Sequence, residues 1–333
     1  MYTPKHFNLL QDFTKAELEY LIDFSIHLKQ LKANRIPHEY LKGQNIALIF
    51  DKTSSRTRSA FVVASHDLGA HSETLVKSDI QFGKKESVLD SARVFGSMFD
   101  GIMLRVSKQD IVDTFVEHAG VSIWNGMTDE WHPTQMIADF MTIKEHYGTF
   151  DHQHVVFCGD GSSNVAISLM VTCAILGIDM TTASPDCLRP NSKTLALIET
   201  LSSESGASIT FNKDPNVAVK KATVVYTDVW ASMGEEHKFK ERIDELYKYQ
   251  VNKELVSHIE GEYIFMHCLP AFHNTDTEVG NYVKEKYGID EMEVTDDVFK
   301  SPNAKQFIQA ENRLHSIKAI MASTNGHLFV PSV

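Results

Sequence analysis

The chain has 333 residues, 43% hydrophobic and 23% charged, which suits a globular protein with room for two sizeable cores. Its formal net charge of -12 disfavours a nucleic-acid backbone as partner and makes any locally basic pocket informative. No segment is apolar over a membrane-spanning length, the N-terminus has no signal-peptide core, and Cys158, Cys173, Cys187 and Cys268 have no framework spacing, so the expectation is reduced thiols, a cytoplasmic location and no membrane partner.

Thr14-Lys15-Ala16-Glu17 forms a capping box and opens a helix with Leu18, Leu21, Ile22, Ile26 and Leu28 on its inner side. Asn45-Ile46-Ala47-Leu48-Ile49-Phe50 reads as a buried parallel strand, and Ala60-Phe61-Val62-Val63-Ala64 with Leu68 as the helix after it. Between them lies Ser54-Ser55-Arg56-Thr57-Arg58. A second strand over Glu73–Val76 leads into a polar loop, Lys77 to Lys85, and then an amphipathic helix from Glu86 to Phe95. Strand Gly101–Arg105 ends in an arginine. A helix near Ile111–His118, a strand over Ser122–Trp124 and a helix opened by Trp131-His132-Pro133-Thr134-Gln135 complete a run of βα units.

Gly148–His152 reads as a linker, after which the pattern restarts. Strand Val155–Cys158 meets Gly159-Asp160-Gly161-Ser162-Ser163-Asn164 and a long apolar helix to Leu176. Strands over Met180–Ala183, Ser208–Phe211 and Thr223–Tyr226 alternate with helices, and Tyr263–Met266 runs into His267-Cys268-Leu269-Pro270. A last helix starts near Ala304 and carries Glu311, Asn312, Arg313 and Ile317. The prediction is an α/β fold of two domains, each a mainly parallel sheet flanked by helices. Ligands in such sheets sit beyond the carboxyl ends of the strands, where every polar cluster above falls except the late helix.

Each cluster has a functional and a plain reading. Ser54–Arg58 combines hydroxyls, arginines and a helix N-terminus, which suits an anion such as phosphate, but a capped helix with solvated arginines has the same letters. Arg105 could clamp an anion or simply face solvent. His132, Thr134 and Gln135 offer donors from one turn behind Pro133, or form an ordinary helix start. The Gly159–Asn164 turn lacks the third glycine of a dinucleotide loop, and no acidic residue clearly ends the next strand, so a nicotinamide or flavin role is disfavoured. Asp228-Val229-Trp230-Ala231-Ser232-Met233-Gly234 could pair an amine and a carboxylate, or be an acidic turn. His267 and Cys268, with His273 nearby but no paired cysteine, make a weak case for zinc, and no metal or cofactor is expected. His152 and His154 read as solvated.

Taken together, these pieces resemble the ornithine carbamoyltransferases of the aspartate/ornithine carbamoyltransferase superfamily. The resemblance rests on Phe50–Arg58, Gly83–Ser87, His132–Gln135, Asp228 with Ser232-Met233-Gly234, His267–Pro270 and Ala310–Arg313, in the family's order from about Phe13 to about Met321. It implies a carbamoyl-phosphate domain over residues 1–148, completed by the C-terminal helix at about 304–325, and an ornithine domain over 149–303. It further implies that Ser54, Ser55, Arg56, Thr57 and Arg105 hold the phosphate, with Gln81 reaching the phosphate of a neighbouring subunit. His132, Arg105 and Thr57 would lie near the carbonyl oxygen. The stretch Pro133-Thr134-Gln135, together with Cys268, Leu269 and Arg313, would hold the carbamoyl end. Asn164, Asp228, Ser232 and Met233 would bind ornithine. Arg105, His132, Cys268 and Arg313 are the implied catalytic residues.

The sequence departs from the family in places. Ser55 stands for the usual threonine, Ile80-Gln81-Phe82-Gly83 for Ser-Gln-Ile-Gly, Val106 for a common glycine, and Gly161-Ser162-Ser163 differs. None removes a group the chemistry needs. The implied activity is carbamoyl transfer to ornithine by a trimer or an assembly of trimers. The rivals are another acceptor (putrescine, acetylornithine or aspartate), a non-catalytic relative and a dinucleotide oxidoreductase.

Overall fold

Two separate parallel sheets carry the chain. The structure is a computed structural model and describes residues 5–80, 85–231 and 236–326. It divides into two units, Met1–Glu145 with Ala310–Val333, and His146–Gln309.

In the first unit the order is α1 (Lys15–Ala33), β1 (Asn45–Phe50), α2 (Arg56–Asp67), β2 (His71–Val76), α3 (Val88–Met98), β3 (Gly101–Arg105), α4 (Gln109–His118), β4 (Ser122–Met127) and α5 (Pro133–Tyr147). The strands pair in the order β2-β1-β3-β4, all parallel. The chain leaves β1 for one edge and returns through β3 on the other side. The switch point therefore falls between the ends of β1 and β3, the favoured crevice for a ligand. Ile46 through Phe50 are all buried, as the unbroken apolar run requires. The capping box at α1 forms: the Glu17 N–H donates to Thr14 Oγ1 at 3.3 Å, and the Thr14 N–H donates to Glu17 Oε2 at 2.9 Å. Ser25, not Ile26, joins the inner side of α1. In α3 only Ser91 and Ala92 are fully buried, while Val88 and Phe95 lie half-covered on the core of β1, β3 and α4.

In the second unit follow β5 (His154–Cys158), α6 (Asn164–Leu176), β6 (Asp179–Ala183), α7 (Ser192–Ser205), β7 (Ile209–Asn212), α8 (Pro215–Ala218), β8 (Val224–Thr227), α9 (Phe239–Leu246), α10 (Lys253–Val256), β9 (Ile264–His267), α11 (Glu278–Tyr287) and α12 (Asp296–Phe299). The strand order is β7-β6-β5-β8-β9, again parallel, with its switch point between β5 and β8. From Val165 to Leu176 every residue of α6 is buried, so this helix has no solvent face. His154 is not solvated: its Nε2 lies 2.8 Å from Thr181 Oγ1 on the neighbouring strand.

The last helix, α13 (Gln306–Asn325), returns to the first unit, to which residues from Ala310 onward belong. Trp124 Nε1 donates to Thr324 Oγ1 at 2.7 Å, and Asn325 Nδ2 donates to Gln44 Oε1 at 2.6 Å. Asn312, fully buried, donates to Thr142 Oγ1 and Glu145 Oε2 and accepts from Lys29 Nζ at 2.7 Å.

Candidate active site

The crevice of the first unit is lined by cations. Arg105 ends β3, and its Nη1 donates to Thr57 Oγ1 at 3.2 Å. Thr57, in the first turn of α2, is 2% exposed. Arg313 approaches the same oxygen from α13, with Nη2 at 3.3 Å. A hydroxyl oxygen that accepts from two guanidinium groups points its own O–H away from both, ready for an external acceptor. Arg313 also donates to Gln135 Oε1 at 2.6 Å and to Thr134 Oγ1 at 3.4 Å. Gln135 in turn donates to the buried Asp139 at 2.8 Å, which fixes its amide. Around Thr57, Ser54 is half-buried, and Ser55 and Arg56 are exposed. Ser55 precedes α2, yet its side chain makes no capping bond, so the plain reading of this turn as a serine-capped helix start does not hold at Ser55.

His132 sits just before Pro133 and α5 and is 6% exposed. Burial pushes its pKa well below the usual histidine range, and Arg313, Arg105 and Arg56 push it in the same direction. The ring is therefore a neutral donor near pH 7, beside three arginines. Such a cluster suits an anion that develops further negative charge on a neighbouring oxygen.

In the second unit the polar groups also gather at strand ends. Asp228 follows β8 and Cys268 follows β9, and the Cys268 thiol donates to Asp228 Oδ1 at 3.1 Å. The Val229 N–H donates to the same oxygen at 2.8 Å. Burial raises the pKa of Asp228, and Glu293 adds to this; the bonds from Cys268 and Val229 oppose it. Asn164 opens α6 behind Ser163, whose side chain caps the helix by accepting the Ala166 N–H. The Gly159–Asn164 turn does need small residues. Gly159 has φ +137, and a Cβ on Gly161 would come within 2.9 Å of Leu188 O. Gln81, Ser232 and Met233 lie outside the described residues.

Asp228, His267 and Cys268 place one ligand atom each within 4.8 Å of one another, the one such trio among the described residues. The imidazole is committed elsewhere, however. Its Nδ1 accepts the Leu269 N–H at 2.9 Å, and its Nε2 faces Glu293 Oε1 at 3.4 Å. A metal would have to displace one of these contacts. His273, the other nearby histidine in the sequence, points instead to Asp296 at 2.7 Å and stacks on Phe299.

The carbamoyl-phosphate-binding domain of the aspartate/ornithine carbamoyltransferases matches residues 5–145, and the aspartate/ornithine-binding domain matches residues 151–324. The chain belongs to the aspartate/ornithine carbamoyltransferase family. An ornithine carbamoyltransferase of Streptococcus suis is 56% identical over the whole of this chain and 99% of its own length. A Streptococcus pyogenes relative named as a catabolic ornithine carbamoyltransferase is 57% identical over 97% of this chain and 96% of its own. The solved ornithine carbamoyltransferase of Pyrococcus furiosus superposes with a TM-score of 0.89 at 40% identity, covering 98% of this chain and 99% of that one.

Two groups in this family member escaped the reading of motifs. Asp139 lies one helical turn beyond Gln135 and could have been found from that i, i+4 spacing. Glu293 accepts the Phe272 N–H at 2.6 Å and faces His267, closing the turn after Cys268 from behind. No local pattern connects Glu293 to that turn.

Proposed function

We propose that the protein transfers the carbamoyl group of carbamoyl phosphate to the side-chain amine of L-ornithine, giving L-citrulline and phosphate, in arginine metabolism. The observation that carries this reading is Arg105 and Arg313 converging on Thr57, with Arg56 joining them around a neutral, buried His132, within a chain whose 56–57% identical relatives bear that enzyme's name. Ser54, Ser55, Arg56 and Thr57 hold the phosphate at the first turn of α2, where helix N–H groups and guanidinium favour an anion. Pro133 fixes the turn from which His132, Thr134 and Gln135 project. As the amine adds, the carbonyl oxygen gains negative charge. Arg105, the Thr57 hydroxyl and the neutral His132 donate to it, which is the largest contribution expected in acyl-type transfer. Arg313 aligns Gln135 and Thr57 and holds the carbamoyl amide.

On the acceptor side, Asp228 pairs with the α-ammonium of ornithine, Asn164 with Ser232 and Met233 reads its carboxylate end, and Cys268 with Leu269 orients the side-chain amine. A free alkyl amine is protonated near neutral pH, and only its neutral form attacks. Removal from water and nearby cations favour that form, and an oxygen of the departing phosphate takes the proton. We place the protein in the cytoplasm as a homotrimer or an assembly of trimers, a state that light scattering would report.

The test supplies carbamoyl phosphate with ornithine, putrescine, acetylornithine or aspartate in turn and measures the ureido product. Ornithine should be preferred by a wide margin. Equal use of putrescine would leave carbamoyl transfer standing and remove the ornithine assignment. Because a 57% identical relative is named catabolic, the reverse reaction, citrulline with phosphate, belongs in the same assay.

A further inference from the structure

Lys318 lies on α13, beyond Arg313, and its side chain is wholly buried. Burying an ammonium is expensive unless acceptors surround it. Here they do. Nζ lies 3.0 Å from His38 Nε2, 3.3 Å from Asp67 Oδ2 and 3.5 Å from Leu28 O. His38 Nδ1 donates to Ile36 O at 2.8 Å, which leaves Nε2 as the acceptor that Lys318 needs. The cage thus draws on α1, the segment after it and the end of α2.

The position of Asp67 matters. It is the last residue of α2, whose first turn carries Arg56 and Thr57. Arg313 meets Thr57 at one end of α2, and Lys318 meets Asp67 at the other. Apolar side chains alone tolerate a small slip of one helix along another. A caged charge does not, because a one-residue slip moves it by about 1.5 Å and about 100° around the axis. We infer that Lys318 is a positioning residue: its caged ammonium fixes the register of α13 on α2 and so sets the guanidinium of Arg313 against Thr57.

The charged and titratable groups that face Lys318 are Asp67 at the end of α2, Lys32 on α1, His38 after it and His315 on α13 itself, with Lys29 of α1 acting on His315. Lys32 shares Asp67 at 2.6 Å, so one carboxylate serves two cations. Burial lowers the Lys318 pKa to about 8, with Asp67 resisting and Lys32 assisting the drop. The cage therefore loses its charge on mild alkalinisation.

The kinetic part of the test rests on the carbamoyl-transfer reading; the binding part does not. Lys318→Met, which keeps the volume, should fold, bind inorganic phosphate about tenfold more weakly by calorimetry and raise the KM for carbamoyl phosphate by a similar factor. That lies within the hundredfold that a displacement of about 1 Å can cost. The KM for ornithine should not move. In wild type, phosphate affinity should decline as pH passes about 8. The decline should begin at lower pH in Asp67→Asn and be absent in Lys318→Met. Should Lys318→Met fail to fold, Asp67→Asn alone carries the comparison. Unchanged phosphate binding in both variants, or one alkaline profile shared with wild type, overturns the inference. A wild type that binds phosphate but makes no ureido product overturns only the carbamoyl-transfer reading.

Discussion

The two units are built on the same plan and charged in opposite senses. Each has a parallel sheet with one switch point and its polar groups beyond the carboxyl ends of the strands. In the first, the crevice holds Arg56, Arg105 and Arg313 with a neutral histidine, and the buried carboxylate of Asp139 accepts from Gln135. In the second, the corresponding place holds an acid and a thiol, Asp228 and Cys268. One scaffold thus gathers cations at one set of strand ends and an acid at the other, the division on which the proposed binding of an anion and an ammonium rests. Fold alone would not have separated them.

The sharpest way to break this division is to remove a cation from the first crevice. Arg105→Leu should lower kcat by about 10²–10³, the usual cost of one lost oxyanion donor, with the ornithine KM nearly unchanged. An ornithine KM that rises as much as kcat falls would show that the two crevices do not divide the substrates. Asp228→Asn tests the converse. Losing the charged partner of an ammonium costs about 1.5–3 kcal/mol, so kcat/KM for ornithine should fall about 10–100-fold while carbamoyl phosphate binds as before. Arg56→Ala should matter less, because that side chain is exposed in the free protein. A loss near 1.5 kcal/mol, about tenfold in the KM for carbamoyl phosphate, is expected from steady-state kinetics.

The smallest effect distinguishes the crevices by the direction in which acid acts. His132 has a folded pKa well below its unfolded value. Below about pH 6.5 the unfolded chain binds a proton that the folded one refuses, and stability drops with falling pH, by at most about 1.4 kcal/mol per unit for one group. Asp228 has a folded pKa above its unfolded value. There the folded chain keeps its proton longer, and this group favours the fold as pH falls. In chemical denaturation across pH 4–7, stability measured relative to wild type should rise for His132→Gln as the solution is made acidic. For Asp228→Asn it should rise as the solution is made neutral. Parallel slopes in the two variants would remove the contrast.

Much of this was legible in the sequence. The unbroken apolar runs Ile46–Phe50 and Val155–Cys158 announce strands buried on both faces, and parallel strands require helical crossovers, so the polar turns had to fall at carboxyl ends. Arg105, His132 and Gln135 were visible because each sits at an element boundary where a side chain has few structural duties. The cage was not visible. Lys318 reads like any surface lysine, and its partners Leu28, His38 and Asp67 stand far from it in the chain. Only tertiary packing makes a buried cation out of it. The His267–Glu293 contact was hidden in the same way, and it removes from His267 the freedom that a metal-site reading would need.

The composition of the first unit from two distant stretches of chain has a consequence for synthesis on the ribosome. Residues 146–309 are contiguous and possess every strand of their sheet once Gln309 has emerged. The first unit, although translated earliest, waits for residues from Ala310 onward. The indole N–H of Trp124, the side-chain amide of Gln44 and the groups of α1 and α5 that hold Asn312 lack their α13 partners until then. The usual N-terminal-first order of folding during translation is therefore reversed at the level of completion. The nascent chain carries an unfinished first unit until α13 has been made, and only then does the crevice beyond β1 and β3 acquire Arg313.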